Sequence, residues 1–152
     1  MVLTLVPGRG AGLPWAGRSL RFGMTLDEVR GSVEPFADLR DTFVCGAAWA
    51  RAFALDGLRV CLFAGESGVL TGVSASRTPD RPHVPVGLDD IDLFGWPVDE
   101  VLDALRDTGR DVRATRTTAW VDGDLHLDWA LPQPAFVGHL CLYARHGRAG
   151  DG

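Results

Sequence analysis

The order of apolar and polar positions predicts the same series of elements twice along the chain. Each series begins with a short strand, continues with an amphipathic helix, and ends with segments in which apolar and polar residues alternate as in strands. The two helix entrances are nearly identical, since five of the eight residues in 22–29 return in 94–101. A repeat at this spacing indicates one structural unit used twice.

Both helices carry recognisable start signals. Thr25 is suited to cap the first helix, and Glu28 follows at the spacing of a capping box. In the second copy Pro97 replaces the threonine, and proline is tolerated at a helix start. The acidic pairs at 27–28 and 99–100 fall in first turns, where the helix dipole favours them, so we interpret them as structural rather than catalytic. One apolar stripe is predicted for the second helix: Val98, Val101, Leu102 and Leu105.

A β-hairpin is predicted after each helix. Asp56-Gly57 is a strong signal for a two-residue turn, and apolar and polar residues alternate on both sides of it. Asp122-Gly123 gives the same signal in the second half, where a two-residue turn places Trp120 opposite Leu125 on the core face. A third strand follows each hairpin, so each half ends in an antiparallel meander.

These elements predict an α+β fold: a pseudo-duplicated unit of one helix plus a three- to four-stranded antiparallel meander, with the helices packed on the sheet. The length of 152 residues suits a single domain. We divide it into a first repeat over 1–76, a second repeat over 89–145 and a disordered tail over 146–152. Three prolines predict a stiff linker over 77–88, and the glycine-rich segment 7–17 predicts a loop.

Composition and charge narrow the classes of partner. All 15 basic residues are arginine and asparagine is absent, which indicates the codon bias of a GC-rich bacterial genome. The net charge of −5 offers no basic field for nucleic acid, and it suits a protein that blocks a basic partner. No apolar stretch is long enough to span a membrane, and residues 1–7 lack the features of a signal peptide. We therefore expect a cytoplasmic protein that binds neither nucleic acid nor membrane.

The three cysteines form neither a metal motif nor a convincing catalytic pair. We expect Cys45, Cys61 and Cys141 to be buried free thiols in a reducing cytoplasm, although their spacing leaves a Cys45–Cys61 disulfide open. A dyad of Cys141 and His139 has no evident orienting group or oxyanion hole. We assign no catalytic residue.

The most polar predicted surface belongs to the second sheet. Asp124, His126 and Asp128 alternate along one strand, so their side chains point the same way. His139 and Tyr143 share a face of the last strand, and strand order decides whether that face adjoins the first row. Two histidines and two aspartates are suitable ligands for a metal such as zinc. Because an ordinary solvated sheet face gives the same pattern, we predict no metal and no cofactor.

Two tryptophans are the exposed aromatic anchors that we predict for partner binding. Trp15 lies in the glycine- and proline-rich segment, and Trp96 lies at a helix entrance. Strand parity places the other three on core faces: Trp49, Trp120 and Trp129.

The segment Phe22-Gly23-Met24-Thr25-Leu26-Asp27-Glu28-Val29-Arg30 resembles the G-M-T-x-x-E-V helix opening of proteins with the fold of the β-lactamase inhibitor protein. The inhibitor has two tandem halves of this size, each made of helix and antiparallel sheet, although its paired cysteines are not reproduced here. The resemblance implies that a polar, concave sheet surface binds another protein.

We therefore predict a non-catalytic protein-binding module of inhibitor or immunity-protein type that uses a polar sheet face. Its predicted binding residues are Trp15, Trp96, Asp124, His126, Asp128, His139 and Tyr143. The alternatives are a small enzyme or metal- or ligand-binding protein that uses the same histidine and aspartate face, and a structural or assembly subunit. A deep pocket joining His126 and His139 favours the enzyme, whereas a broad shallow face with exposed tryptophan favours binding.

Overall fold

The computed structural model describes residues 1–15, 17–78 and 81–145, which form two β-sheets and two short helices. The five-stranded sheet contains β1 (Leu3–Val6), β2 (Gly10–Gly12), β3 (Ser19–Arg21), β8 (Val86–Leu88) and β9 (Ile91–Asp92). The eight-stranded sheet contains β4 (Arg40–Asp41), β5 (Trp49–Leu55), β6 (Leu58–Ala64), β7 (Leu70–Arg77), β10 (Val112–Ala114), β11 (Thr118–Val121), β12 (Leu125–Trp129) and β13 (Val137–Tyr143). The helices are α1 (Leu26–Val33) and α2 (Val98–Asp107).

The α+β prediction of helices packed on a repeated meander is wrong. In the described residues thirteen strands form two sheets, and the two helices contain eight and ten residues. The fold is therefore mostly β. Within the described part of the chain, neither helix has the length and apolar character needed to cross a membrane.

Each sheet has a simple strand order. The eight-stranded sheet runs β10-β11-β12-β13-β7-β6-β5-β4 and is antiparallel throughout. It consists of two runs of consecutive strands that meet edge to edge where β13 pairs with β7. The five-stranded sheet runs β3-β2-β1-β8-β9 and contains one parallel pair, between β1 and β8.

Two segments that the sequence predicts as a loop and a linker supply strands of the five-stranded sheet, which explains the error in fold class. Strand β2 lies inside the segment 7–17 that the sequence predicts as a loop, and a side chain at Gly10 would collide with the carbonyl oxygen of Leu20 on β3. Strand β8 lies inside the predicted linker 77–88 and pairs with β1. Val84, Val86 and Leu88 alternate and are buried, but the neighbouring prolines favoured a linker. Pairing with β1 makes both segments extended. The predicted tail 146–152 lies outside the described residues.

The predicted helix signals are confirmed. The backbone N–H of Thr25 donates to Glu28 Oε1 at 3.2 Å, and the backbone N–H of Glu28 donates to Thr25 Oγ1 at 3.3 Å. Helix α2 begins directly after Pro97. Its predicted stripe is buried: Val98, Val101, Leu102 and Leu105.

The two Asp-Gly turns differ by one residue. Asp56 and Gly57 have φ of 34° and 79° and form the predicted two-residue turn between β5 and β6. At the second turn Val121 pairs with Leu125, so the loop holds one residue more than predicted. A shift of one residue exchanges the two faces of a strand. Trp120 therefore lies opposite His126 and is 41% exposed, and its predicted place in the core is wrong.

The core lies between the two sheets. Alternate residues of the eight-stranded sheet point inward and are almost fully buried, including Val60, Leu62, Val73, Leu127 and Leu140. They form one cluster with residues of the helices and the five-stranded sheet. The remaining alternate residues point to the opposite side, which we call the outer face.

Candidate functional site

Strand register arranges the side chains of the outer face in three rows that cross the eight-stranded sheet. The aromatic row contains Tyr143, Gly72, Phe63 and Ala50. The central row contains Trp120, His126, Cys141, Ser74, Cys61 and Ala52. The histidine row contains Thr118, Asp128, His139, Ser76, Arg59 and Ala54.

Strand order brings the two predicted polar rows of the second half together. Strands β12 and β13 are neighbours, so His139 lies opposite Asp128 and Cys141 lies opposite His126. At the end of these strands the backbone N–H of Tyr143 donates to the carbonyl oxygen of Asp124 at 2.8 Å. Five of the seven predicted binding residues therefore belong to one surface.

Four aromatic rings form a continuous cluster on this surface. The ring centroid of Trp120 lies 4.6 Å from that of His126 and 5.9 Å from that of Tyr143. The Phe63 ring extends the cluster, with its centroid 6.0 Å from that of Tyr143. A side chain at Gly72 would collide with this ring, so the glycine lets the phenylalanine lie flat across β7. The side chains of Trp120 and Tyr143 remain 41% and 40% exposed.

The histidine row holds a short side-chain hydrogen bond between neighbouring strands. Ser76 Oγ lies 2.6 Å from His139 Nδ1, and His126 Nδ1 lies 3.5 Å from Asp128 Oδ2. Burial lowers the pKa of His139; Asp128 opposes this shift and His126 adds to it, so the pKa lies below its ordinary value. His139 is therefore neutral at pH 7, and its Nδ1 shares a hydrogen bond with the Ser76 hydroxyl.

The arrangement offers a weak basis for nucleophilic chemistry. Ser76 lies on a strand flanked on both sides, where backbone N–H groups are used in sheet hydrogen bonds and are not free to stabilise an oxyanion. Burial raises the pKa of Cys141 to about 11, so its thiol is protonated at neutral pH and is a poor nucleophile. Cys61 and Cys141 are buried free thiols as expected, whereas Cys45 is free but exposed.

Asp124 is buried and already has a partner. Its Oδ2 accepts a hydrogen bond from Arg145 Nε at 2.8 Å, while its Oδ1 has no hydrogen-bond partner among the residues that the structure describes. This predicted binding residue lies at the end of the outer face, beneath an arginine, and not among the exposed groups.

The structure does not bring the two predicted anchor tryptophans to the outer face. Trp15 stacks on Phe36, with centroids 5.2 Å apart, and packs beside Phe53 on the core side of β5. Trp96 is 38% exposed and lies in the turn before α2, in the layer beneath the sheet.

Four of the surface depressions in the described part of the chain lie away from the histidine row, since none of these four is lined by His126 or His139. In residues 1–15, 17–78 and 81–145, no group of three or more His, Cys, Asp or Glu side chains is arranged to hold a metal ion.

Sequence reasoning missed three contributors to the outer face: Trp120, Phe63 and Ser76. The tryptophan was misplaced by the one-residue difference at the second turn. Phe63 alternates with Arg59 and Cys61 on β6, and this mixed parity was a usable signal for an exposed aromatic side chain. Ser76 became relevant only when β7 was found beside β13.

No protein family, curated protein or solved structure shows significant similarity to the chain. The function is therefore inferred from the outer face itself.

Proposed function

We propose that the chain is a non-catalytic protein-binding module of inhibitor or immunity-protein type, and that the outer face is its binding surface. The observation that carries this proposal is the cluster formed by exposed Trp120 and Tyr143 with half-buried Phe63 on a polar sheet face. Tryptophan and tyrosine supply large contact areas with few rotatable bonds and dominate the energetics of protein interfaces.

The distribution of exposed side chains supports contact with a protein rather than with a small ligand. The small residues Ala50, Ala52 and Ser74 of β5 and β7 are buried, whereas the rings of Trp120 and Tyr143 on the same face are exposed. The polar histidine row then borders the apolar contacts, as a polar rim borders the core of an interface.

The same proposal includes a cytoplasmic location, another protein as partner, and no cofactor. The exposed free thiol of Cys45 is compatible with a reducing compartment. One observation favours the alternative hypothesis of a small enzyme: Ser76 Oγ lies 2.6 Å from His139 Nδ1. If a fluorophosphonate probe labels the wild type but not Ser76→Ala, the result would favour the enzyme hypothesis over the binding-module proposal.

Site-specific photocrosslinking tests the binding surface. A photoreactive phenylalanine analogue replaces Trp120 in one variant and Trp96, which has similar exposure but lies off the outer face, in a second variant. We expect a defined protein adduct from position 120 and none from position 96, with mass spectrometry identifying the partner. Trp120→Ala is expected to weaken that complex by about 2 kcal/mol, or roughly 30-fold in Kd. Adducts at position 96 alone would move the binding surface to the other layer.

A further inference from the structure

We propose that, when no target is bound, the outer face is occupied by a second copy of this chain, packed face to face about a two-fold axis. The inference rests on the proposed function, because the same surface does the binding. The axis runs parallel to the strands and lies above the junction of β7 and β13, between the eight-stranded sheets of the two copies. A target would then have to displace the second copy.

The position of the axis follows from strand order. The junction of β13 and β7 divides the eight-stranded sheet into two halves of four strands. Rotation about an axis above this junction places β13 over β7, β12 over β6 and β11 over β5 of the second copy. The rotation leaves each row facing the same row, which gives a self-complementary, isologous contact. Sheets that pack face to face in this way lie about 10 Å apart, with their strands nearly aligned.

Side-chain sizes match across this axis. In the central row Trp120 comes to lie over Ala52 of the second copy, and His126 comes to lie over Cys61. In the aromatic row Tyr143 comes to lie over the Phe63 ring that covers Gly72. Each copy therefore offers both the projecting rings and the spaces that receive them, as packed sheets require.

Charges match in the histidine row. Asp128 on β12 comes to lie over Arg59 on β6 of the second copy, and the symmetry makes this pair twice. Arg59 is exposed and, among the described residues, its side chain donates to the neutral Thr42 Oγ1 at 2.9 Å. At the sheet edges Arg113 would face Arg40 of the second copy, but each already pairs with an aspartate of its own chain, at 3.3 and 2.7 Å.

The contact area is sufficient for a specific dimer. The three rows span six strands, which at about 4.8 Å per strand cover roughly 29 Å, and the rows with their side chains cover about 20 Å along the strands. The product is on the order of 600 Å² per copy, or about 1,200 Å² in total, at the lower end of the range of standard specific interfaces.

A charge exchange tests the proposal by sedimentation equilibrium at micromolar concentrations. We expect wild type to form a dimer, and we expect Asp128→Arg and Arg59→Asp each to weaken it at least ~100-fold, because each variant creates two like-charge contacts. In a heterodimer of these two variants, opposite charges face each other again at both contacts. An equimolar mixture should therefore form this heterodimer. Asp103→Arg and Arg106→Asp on α2 make the same charge changes off the outer face and should leave the wild-type dimer intact.

Three results would overturn the dimer: a monomeric wild type, dimeric single variants, or a mixture that stays monomeric while both components retain the circular dichroism of wild type. Ala52→Arg provides a second route, because its side chain would fill the space assigned to Trp120 and should also produce a monomer. A monomer that still crosslinks from position 120 to a different protein would remove this inference and leave the proposed function standing. A monomer with no adduct would remove both.

Discussion

Replacing Arg110 with alanine tests how the two sheets are held together at their turns. Arg110 Nε donates to Asp89 Oδ2 at 2.7 Å, and Arg110 Nη1 donates to Asp122 Oδ2 at 2.8 Å. Asp89 lies in the turn between β8 and β9 of the five-stranded sheet, and Asp122 lies in the turn between β11 and β12 of the other sheet. The guanidinium therefore bridges a turn of each sheet.

The size of the effect follows from the exposure of these groups. The Arg110 side chain is only 18% exposed and that of Asp122 is 26% exposed, so their charged hydrogen bond should contribute about 1.5–2 kcal/mol. Asp89 is 42% exposed, and solvent screening limits its share to about 0.5–1 kcal/mol. We expect Arg110→Ala to lower the free energy of unfolding by about 2–3 kcal/mol, which corresponds to roughly 5–10 °C in Tm for a domain of this size.

Urea denaturation at pH 7 measures this loss directly. Arg106→Ala is the matched control, because its pair with Asp103 has a 3.7 Å separation and an exposed arginine, and it should cost less than about 0.5 kcal/mol. A loss for Arg110→Ala no larger than that of the control would refute the bridge.

The pH dependence gives an independent check on the same bridge. Burial alone would raise the pKa of Asp122, but the backbone N–H of Asp111 and the Arg110 guanidinium outweigh it and lower the pKa. A carboxylate with a lowered folded-state pKa contributes stability above its unfolded pKa of about 4, and this contribution is lost as the pH falls through the folded value. The difference between wild type and Arg110→Ala should therefore shrink below about pH 4. A difference that stays constant down to pH 2 would contradict this account.

Three further predictions concern the outer face. Because the pKa of His139 is lowered in the folded state, the free energy of unfolding should fall as the pH drops below about 6.5. Nuclear magnetic resonance should show His139 titrating below that pH. His139→Gln should flatten the dependence of stability on pH between pH 5 and 7. Gly72→Ala should cost about 1–3 kcal/mol in urea denaturation, because the added methyl group meets the ring packed on it, whereas Gly138→Ala has open space and should be nearly neutral; equal losses would contradict the packing. Ellman's reagent at pH 8 should modify Cys45 quickly and spare Cys141 until the chain unfolds, and rapid modification of the buried thiol would disprove its burial.

Local signals in the sequence predicted the elements that depend on neighbouring residues. The capping box of Thr25 and Glu28 and the turn at Asp56-Gly57 appear as expected. Each depends on hydrogen bonds or backbone angles within a few residues. The alternation of His126 and Asp128 likewise placed both side chains on the outer face of their strand.

Long-range pairing decided the rest. Strand β2 is short and rich in glycine, and the alternation of Val84, Val86 and Leu88 at β8 stands among prolines that favoured a linker. Both strands are extended because β1 pairs with both of them. One extra residue in the loop after Val121 moved Trp120 from the core to the outer face.

The sequence by itself determined where the chain turns, where its helices start and which strand residues share a face, because these features depend on short stretches of backbone. Only the tertiary structure decided which strands are neighbours. Because a binding surface is made from side chains of several neighbouring strands, the joining of β7 to β13 decided that His139 meets Ser76 and that Tyr143 meets Phe63.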